Sequence, residues 1–142
     1  MLDKTQIEAI IPHRDPFLLI DRVIEMVPGE YAIAEKDIRE DLDVFKGHFP
    51  GNPVFPGVLQ LEALAQTGAV ALLALPENQG RIVLFGGIDN VRWKKPVLPG
   101  DILRLETHIE AKRGLVGKGS AKAYVGSALA CRGTLTFALV ER

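Results

Sequence analysis

One histidine in a rigid loop is the first candidate for chemistry in this sequence. His48 lies within residues 47–57, which hold three prolines and three glycines and are too stiff and turn-rich for a helix or strand. Such neighbours fix the backbone of a reactive side chain at low entropic cost. A neutral histidine can accept a proton near neutral pH, so His48 is a candidate general base. The alternative is a loop histidine that only caps a backbone carbonyl.

An isolated acid follows in the next element. Residues 58–75 contain no proline, are rich in Ala and Leu and stop before Pro76, which predicts one long helix surrounded by protein. Glu62 lies among apolar residues of this helix. Burying a carboxylate there costs free energy, so it is expected only if the group is paired or has a function. Gln66 follows one turn later on the same line and could hold the carboxyl. The alternative is a Glu62–Gln66 hydrogen bond with a purely structural role.

The start of this helix is a candidate anion site. Pro56 has no N–H, so the first free donors of the helix come from Gly57 onward. Glycine also lets a ligand approach the backbone closely, and free N–H groups at a helix N-terminus stabilise a developing oxyanion. The alternative is a plain helix start, where proline and glycine are common.

These groups together suit a reaction with one proton to remove, one group to protonate and one oxyanion to stabilise. Dehydration of a 3-hydroxyacyl thioester needs all three. Its α-proton is acidic only if enolate character on the thioester oxygen is stabilised, and hydroxide leaves only if it receives a proton. The three histidines and Cys131 show no metal-ligand spacing, so we expect no metal ion.

A cluster of positive charge surrounds the only tryptophan. Arg92, Lys94 and Lys95 flank Trp93 in a chain whose net charge is -1. This basic cluster could dock an acidic partner. A solvated sheet edge guarded by lysines is the alternative.

Composition limits the remaining possibilities. A chain of 142 residues with 47% hydrophobic content fits one domain, residues 1–142, with its own core. Near-zero net charge argues against nucleic acid as a partner, and four polar residues within 58–75 argue against a membrane span. Cys131 as the only cysteine and the absence of an apolar run in the first five residues lead us to expect a cytoplasmic protein.

The rest of the chain has mostly the pattern of strands. Asp3 and Gln6 can form a capping box for a short helix that ends before Pro12. Strand-forming residues then fill six stretches: 17–24, 31–38, 81–93 with a bulge at Gly86-Gly87, 101–111, 118–125 and 128–140. Long strands with short turns and one buried helix predict an α+β fold in which an antiparallel sheet wraps around the helix.

These motifs resemble one known family. The most specific ones are GHFPG at 47–51, PGVL at 56–59, LEALAQ at 61–66 and GIDNVR at 87–92. The segments 12–14 (PHR), 16–23 (PFLLIDRV), 99–101 (PGD) and 117–119 (GKG) extend the match to about residues 10–140. Together they resemble the FabZ-type 3-hydroxyacyl-[acyl-carrier-protein] dehydratases of type II fatty acid synthesis.

The resemblance implies a hot-dog fold and a homodimer, often assembled into a trimer of dimers. It implies that His48 and the partner's Glu62 are catalytic and that the Gly57 N–H binds the thioester carbonyl. Phe55, Val58 and Gln66 are expected to contact the substrate, and the basic cluster is expected to meet the acidic acyl carrier protein.

Three sites depart from the family's usual pattern. Asp15 stands where tyrosine is common, residues 41–44 (DLDV) replace the more usual Asn-Glu-Pro-Phe, and Phe55 stands where methionine is common. The resemblance implies that the acyl chain lies in an apolar tunnel at the dimer interface, and we expect Phe55 and the altered loop to line or gate this tunnel.

Alternatives to dehydration are a hot-dog acyl thioesterase and a non-catalytic acyl-binding module. A dehydratase that also isomerises the double bond usually carries Asp in place of Glu62.

Overall fold

The computed structural model describes residues 1–142. Two α-helices and six β-strands follow one another along the chain: α1 (Lys4–Ile10), β1 (Arg22–Val27), β2 (Tyr31–Asp37), α2 (Gly57–Leu73), β3 (Ile82–Trp93), β4 (Ile102–Arg113), β5 (Val116–Val125) and β6 (Ala128–Val140). Short 3₁₀ turns at Asp43–Lys46 and Pro76–Asn78 precede and follow α2.

All six strands belong to one antiparallel sheet in the order β1-β2-β4-β5-β6-β3. Helix α2 packs against this sheet, and its closest neighbour is β4. One hydrophobic core of 28 buried residues lies between them. The predicted α+β hot-dog arrangement, a sheet wrapped around one long helix, is confirmed.

Small residues and hydroxyls bring α2 close to the sheet. An ideal Cβ at Gly68 would lie 2.9 Å from both Phe137 and Thr107, so only glycine permits this approach without movement. The Thr107 hydroxyl donates to the Leu64 carbonyl over 2.8 Å. These contacts hold α2 against the sheet near the middle of the helix.

The predicted first strand is wrong at its start. Residues 18–20 are buried but precede β1, which begins at Arg22. The reason is a competing partner. Gln66 of α2 accepts a hydrogen bond from the Leu19 N–H and donates one to the Phe17 carbonyl, each over 2.8 Å. This segment therefore docks on the helix instead of extending the sheet.

Strand β3 forms one edge of the sheet. It pairs only with β6, and its register shifts between Phe85 and Gly87, which confirms the predicted bulge. Four of its large apolar side chains are exposed: Leu84, Phe85, Ile88 and Trp93. A long apolar edge of this kind is an unpaired template for another strand.

None of the helices combines the length and apolar character needed to cross a bilayer.

Candidate active site

The His48 side chain is held by its own loop. Its Nδ1 lies 2.7 Å from the Val54 carbonyl oxygen, while the Val54 N–H donates to the His48 carbonyl over 3.0 Å. Between them, Phe49 and Asn52 exchange two backbone hydrogen bonds. The stiff loop predicted from the prolines is therefore closed by hydrogen bonds between residues 48 and 54 and between residues 49 and 52.

This contact determines which ring nitrogen is free. A carbonyl oxygen only accepts, so the Val54 contact requires the hydrogen of His48 to reside on Nδ1. The other nitrogen, Nε2, then presents a lone pair. A histidine fixed in this tautomer can take a proton from a substrate, which is the role that a general base requires.

The start of α2 has free donors beside His48. Pro56 is the N-cap, and its carbonyl accepts from the Leu59 and Gln60 N–H groups. The N–H groups of Gly57 and Val58 precede the helix's own hydrogen-bond ladder and have no acceptor within the chain. They can therefore bind a carbonyl oxygen from a ligand.

Trp93 packs against this helix start. An ideal Cβ at Gly57 would lie 2.6 Å from the indole Nε1 of Trp93 and 2.8 Å from its Cε2. Only a glycine lets the indole approach this close. Sequence reasoning placed Trp93 in a basic cluster and missed this contact, because nothing in the local pattern links it to residue 57.

A cavity of about 430 Å³ joins these groups. His48 and the predicted substrate-binding residues Phe55, Gly57 and Val58 line it, and so do Trp93 and Lys95. Glu62 and Gln66 do not line it. The structure thus brings together the base and the oxyanion donors of the predicted site without the acid.

Glu62 is held on another side of α2. Its side chain is 18% exposed, and its Oε2 accepts from Gln66 Nε2 over 2.9 Å. Gln66 is itself 1% exposed, and its remaining hydrogen bonds go to Phe17 and Leu19. The Gln66 amide therefore uses its hydrogen bonds to position Glu62 and the segment at Phe17 and Leu19. Its predicted contact with substrate stays a prediction.

His13 is a second neighbour of Glu62. Its Nε2 lies 3.5 Å from the same carboxylate oxygen, Oε2, while its Nδ1 is buried without a hydrogen-bond partner. His13 had no role in the site predicted from the sequence: it lacks metal-ligand spacing and was noted only within a family motif. The Pro-His-Arg motif at 12–14 was the available signal, but no periodicity connects this segment to α2.

Glu62 opens into its own cavity of about 320 Å³. Its walls include His13 and Phe17 on one side and the β3 residues Val83, Leu84 and Phe85 on the other. His48 does not reach it. Within one chain, the two predicted catalytic side chains therefore face different cavities.

The basic cluster lies at the end of β3. Arg92, Lys94 and Lys95 are exposed, and none of them forms an ion pair. Lys95 also lines the His48 cavity. The positive charge of the cluster is therefore solvent-facing, and Lys95 brings part of it to the wall of the candidate site.

Other reactive groups do not form a site. No three His, Cys, Asp or Glu side chains are grouped as a metal centre would require. Cys131 is fully buried on β6, and burial raises the pKa of its thiol to about 11. A thiol so protected is a poor nucleophile, and Cys131 serves as a small residue of the core.

The chain matches known proteins over nearly its whole length. Residues 11–134 match the family model of the FabA-like domain. The 3-hydroxyacyl-[acyl-carrier-protein] dehydratase FabZ of Moorella thermoacetica is 55% identical, with 99% of each chain covered. That of Roseiflexus castenholzii is 56% identical, with 100% of each chain covered.

Structural comparison agrees on the fold. The dehydratase heterocomplex ApeI:P from Xenorhabdus doucetiae contains a similar chain with a TM-score of 0.82 and 16% identity, covering 96% of this chain and 91% of that one. At this identity the likeness shows the hot-dog fold alone, whereas the sequence matches show the family. The chain therefore belongs to the FabA-like family, among the FabZ-type 3-hydroxyacyl-[acyl-carrier-protein] dehydratases.

Proposed function

We propose that His48, Glu62 and the Gly57 N–H carry out this family's reaction in a single domain spanning residues 1–142. The chain is a hydro-lyase that dehydrates 3-hydroxyacyl-[acyl-carrier-protein] to the trans-2-enoyl thioester in fatty acid biosynthesis, as full-length FabZ relatives at 55 to 56% identity indicate. The observation that supports the residue roles best is the contact of His48 Nδ1 with the Val54 carbonyl oxygen over 2.7 Å, which leaves Nε2 unengaged in a cavity shared with the free helix N–H groups.

Each group has one task in this mechanism. His48 Nε2 removes the α-proton of the substrate. The electron pair moves toward the thioester oxygen, where the Gly57 N–H stabilises the developing charge. Protonated Glu62 donates to the 3-hydroxyl, which leaves as water while the new double bond forms. The proton taken by His48 must then return to Glu62 or to solvent before the next turnover.

The active site is shared between two chains in this proposal. The His48 cavity meets β3 at its end, at Trp93, whereas the Glu62 cavity meets β3 near its start, at Val83 to Phe85. If two β3 edges pair antiparallel about a two-fold axis, the start of one strand lies beside the end of the other. Each Glu62 cavity then adjoins the partner's His48 cavity.

The edge of β3 favours such a homodimer. Its exposed apolar side chains would be covered, and its unpaired backbone groups would be satisfied by the second copy.

A trimer of dimers is the further assembly that we propose. The substrate is carried by acyl carrier protein, which would meet the basic cluster. We further propose that the enzyme is cytoplasmic and needs no cofactor.

A direct assay tests the activity. Incubation with a 3-hydroxyacyl carrier-protein substrate, without added metal or nucleotide, should give the conjugated enoyl product reversibly. Free thiol in place of enoyl product would indicate the thioesterase alternative. Complete loss of activity in chelator, with recovery on adding zinc, would contradict the metal-free mechanism.

The Gly57→Ala substitution should lower kcat/KM by about ten- to a hundredfold, since small displacements of an oxyanion site have effects of this size. The new methyl group would displace the Trp93 indole from the helix start. Because Trp93 is the only tryptophan, its fluorescence reports the displacement directly. Gly47→Ala is the matched control, since nothing lies within 4 Å of the added Cβ. Unchanged turnover together with shifted fluorescence would exclude this role for the Gly57 region.

Charge reversal of Arg92, Lys94 and Lys95 to Glu should lower kcat/KM by roughly tenfold or more for carrier-protein substrates at low salt. Rim charges act mainly on encounter and are screened by salt, so small pantetheine thioesters should be almost unaffected. Lys122→Glu, an exposed change on β5, serves as the control. Equal losses with both substrate types would favour a guarded sheet edge over a docking surface.

A further inference from the structure

Gln60 is a buried glutamine whose side-chain oxygen has no hydrogen-bond partner. The residue is 2% exposed, and its Oε1 is closed off from solvent without a partner in the chain. By contrast, Gln66, the other buried glutamine of α2, forms hydrogen bonds at both ends of its amide. A buried acceptor left unsatisfied costs free energy and is rare in native proteins. Gln60 therefore differs from a glutamine that serves structure alone.

The Gln60 side chain lines the same cavity as His48 and Gly57. Residues 57 and 60 are three apart on α2, so they are neighbours on one helix face, about 4.5 Å apart along the axis. Helical side chains lean toward the N-terminus, which carries the Gln60 amide back over the helix start. An unsatisfied acceptor therefore lies within about one turn of the proposed oxyanion site.

The closed-off oxygen of Gln60 can reach the cavity by a rotation of its amide. The last torsion of a glutamine side chain has a broad, roughly two-fold distribution, so the terminal amide turns at little cost. Because Oε1 has no hydrogen bond in the free protein, its rotation toward a donor in the cavity breaks none at this oxygen. Gln60 is therefore suited to accept one hydrogen bond from a ligand.

The charges of the cavity favour a neutral donor. No aspartate or glutamate is among its lining residues, and Lys95 gives it one positive charge. A cationic donor would be repelled by Lys95 and would find no counter-charge, whereas an amide N–H or a hydroxyl meets neither obstacle. The ligand group that binds Gln60 Oε1 is therefore uncharged.

The substrate of the proposed function offers few such donors. Its 3-hydroxyacyl part has one, the 3-hydroxyl, which the proposed mechanism assigns to Glu62 in a separate cavity. The pantetheine arm has an amide N–H, which the sulfur and two methylene groups separate from the thioester carbonyl. With the carbonyl oxygen at the Gly57 N–H, this short spacer is comparable with the distance of Gln60 from the helix start.

We propose that Gln60 is a specificity-determining residue, whose Oε1 accepts a hydrogen bond from the pantetheine amide N–H nearest the thioester. The contact fixes the arm at the helix start, so that the thioester carbonyl is held at the Gly57 N–H. The identity of the ligand rests on the proposed function, whereas the recognition of an amide N–H does not.

Calorimetry on the full-length protein tests this contact with two unreactive ligands. Both are octanoyl thioesters without a 3-hydroxyl, one of N-acetylcysteamine and the other of 2-acetoxyethanethiol, which has an ester oxygen in place of the amide N–H. The wild type should bind the amide compound about tenfold more tightly, because a site that accepts an N–H discriminates against an analogue without it. Gln60→Met should lower this ratio to about one, and Gln79→Met, at an exposed position, should leave it unchanged.

Equal affinity of the wild type for the two compounds would overturn the proposal without the use of any variant. A ratio that stays near tenfold in Gln60→Met would also overturn it, because another group would then bind the N–H. Neither ligand can lose water, so this result is separate from the dehydration assay. Failure to dehydrate a 3-hydroxyacyl carrier-protein substrate, with the amide preference intact, would contradict the proposed function and support the role of Gln60 as an amide acceptor.

Discussion

His48→Ala is expected to lower kcat by about a hundredfold or more, which is the scale of losing a general base. The variant removes Nε2, the only ring nitrogen that its loop leaves free to accept a proton. The loop itself should stay closed, since Val54 still donates to the backbone carbonyl of residue 48 and Phe49 still bonds to Asn52. KM should change much less than kcat, because the loss falls on the transition state.

Glu62→Gln should lower kcat by a similar factor, because it removes a proton donor where His48→Ala removes a proton acceptor. An amide cannot give up a proton as a carboxylic acid does, yet it occupies almost the same volume. Its oxygen can still accept from Gln66, so the side chain should keep its place on α2. A loss of about a hundredfold or more would then report the missing proton donor and not a collapsed site.

Matched controls separate these roles from general damage. His108→Ala and Glu110→Gln change the same residue types at exposed positions of β4 and should keep wild-type kcat. Thermal unfolding and circular dichroism should show that both active-site variants are folded. Near-wild-type turnover in either His48→Ala or Glu62→Gln would show that the assigned role is wrong.

Local signals predicted much of the fold. The capping box between Asp3 and Gln6 is present at α1, with both reciprocal hydrogen bonds formed. The long apolar helix ends before Pro76 and begins within one residue of its predicted start. These features depend on hydrogen bonds and sterics within a few residues, which is why the sequence displays them.

Contacts between distant residues were less predictable. The apolar segment at 17–20 has the composition of a strand, but the Leu19 N–H and the Phe17 carbonyl are bound by Gln66, a residue on another element. The proximity of His13 to Glu62 and of Trp93 to Gly57 depends on the same kind of long-range placement. No periodicity along the chain encodes which segments dock on which face of α2.

Recovery of activity from two inactive proteins is the second large effect that we expect. The proline-stiffened loop makes it difficult for His48 to reach Glu62 of its own chain, and the two side chains face different cavities. A shared site would place each His48 beside the partner's acid. A dimer of one His48→Ala chain and one Glu62→Gln chain would then have one doubly altered site and one intact site.

The most direct measurement mixes equal amounts of the two variants, unfolds them together and refolds them. Random pairing makes about half of the dimers mixed, and one of the two sites in each mixed dimer is intact, so about a quarter of wild-type activity should return. Each variant refolded alone should stay inactive. If native mass spectrometry confirms mixed dimers and the mixture remains inactive, each active site lies within one chain and the shared-site mechanism is contradicted.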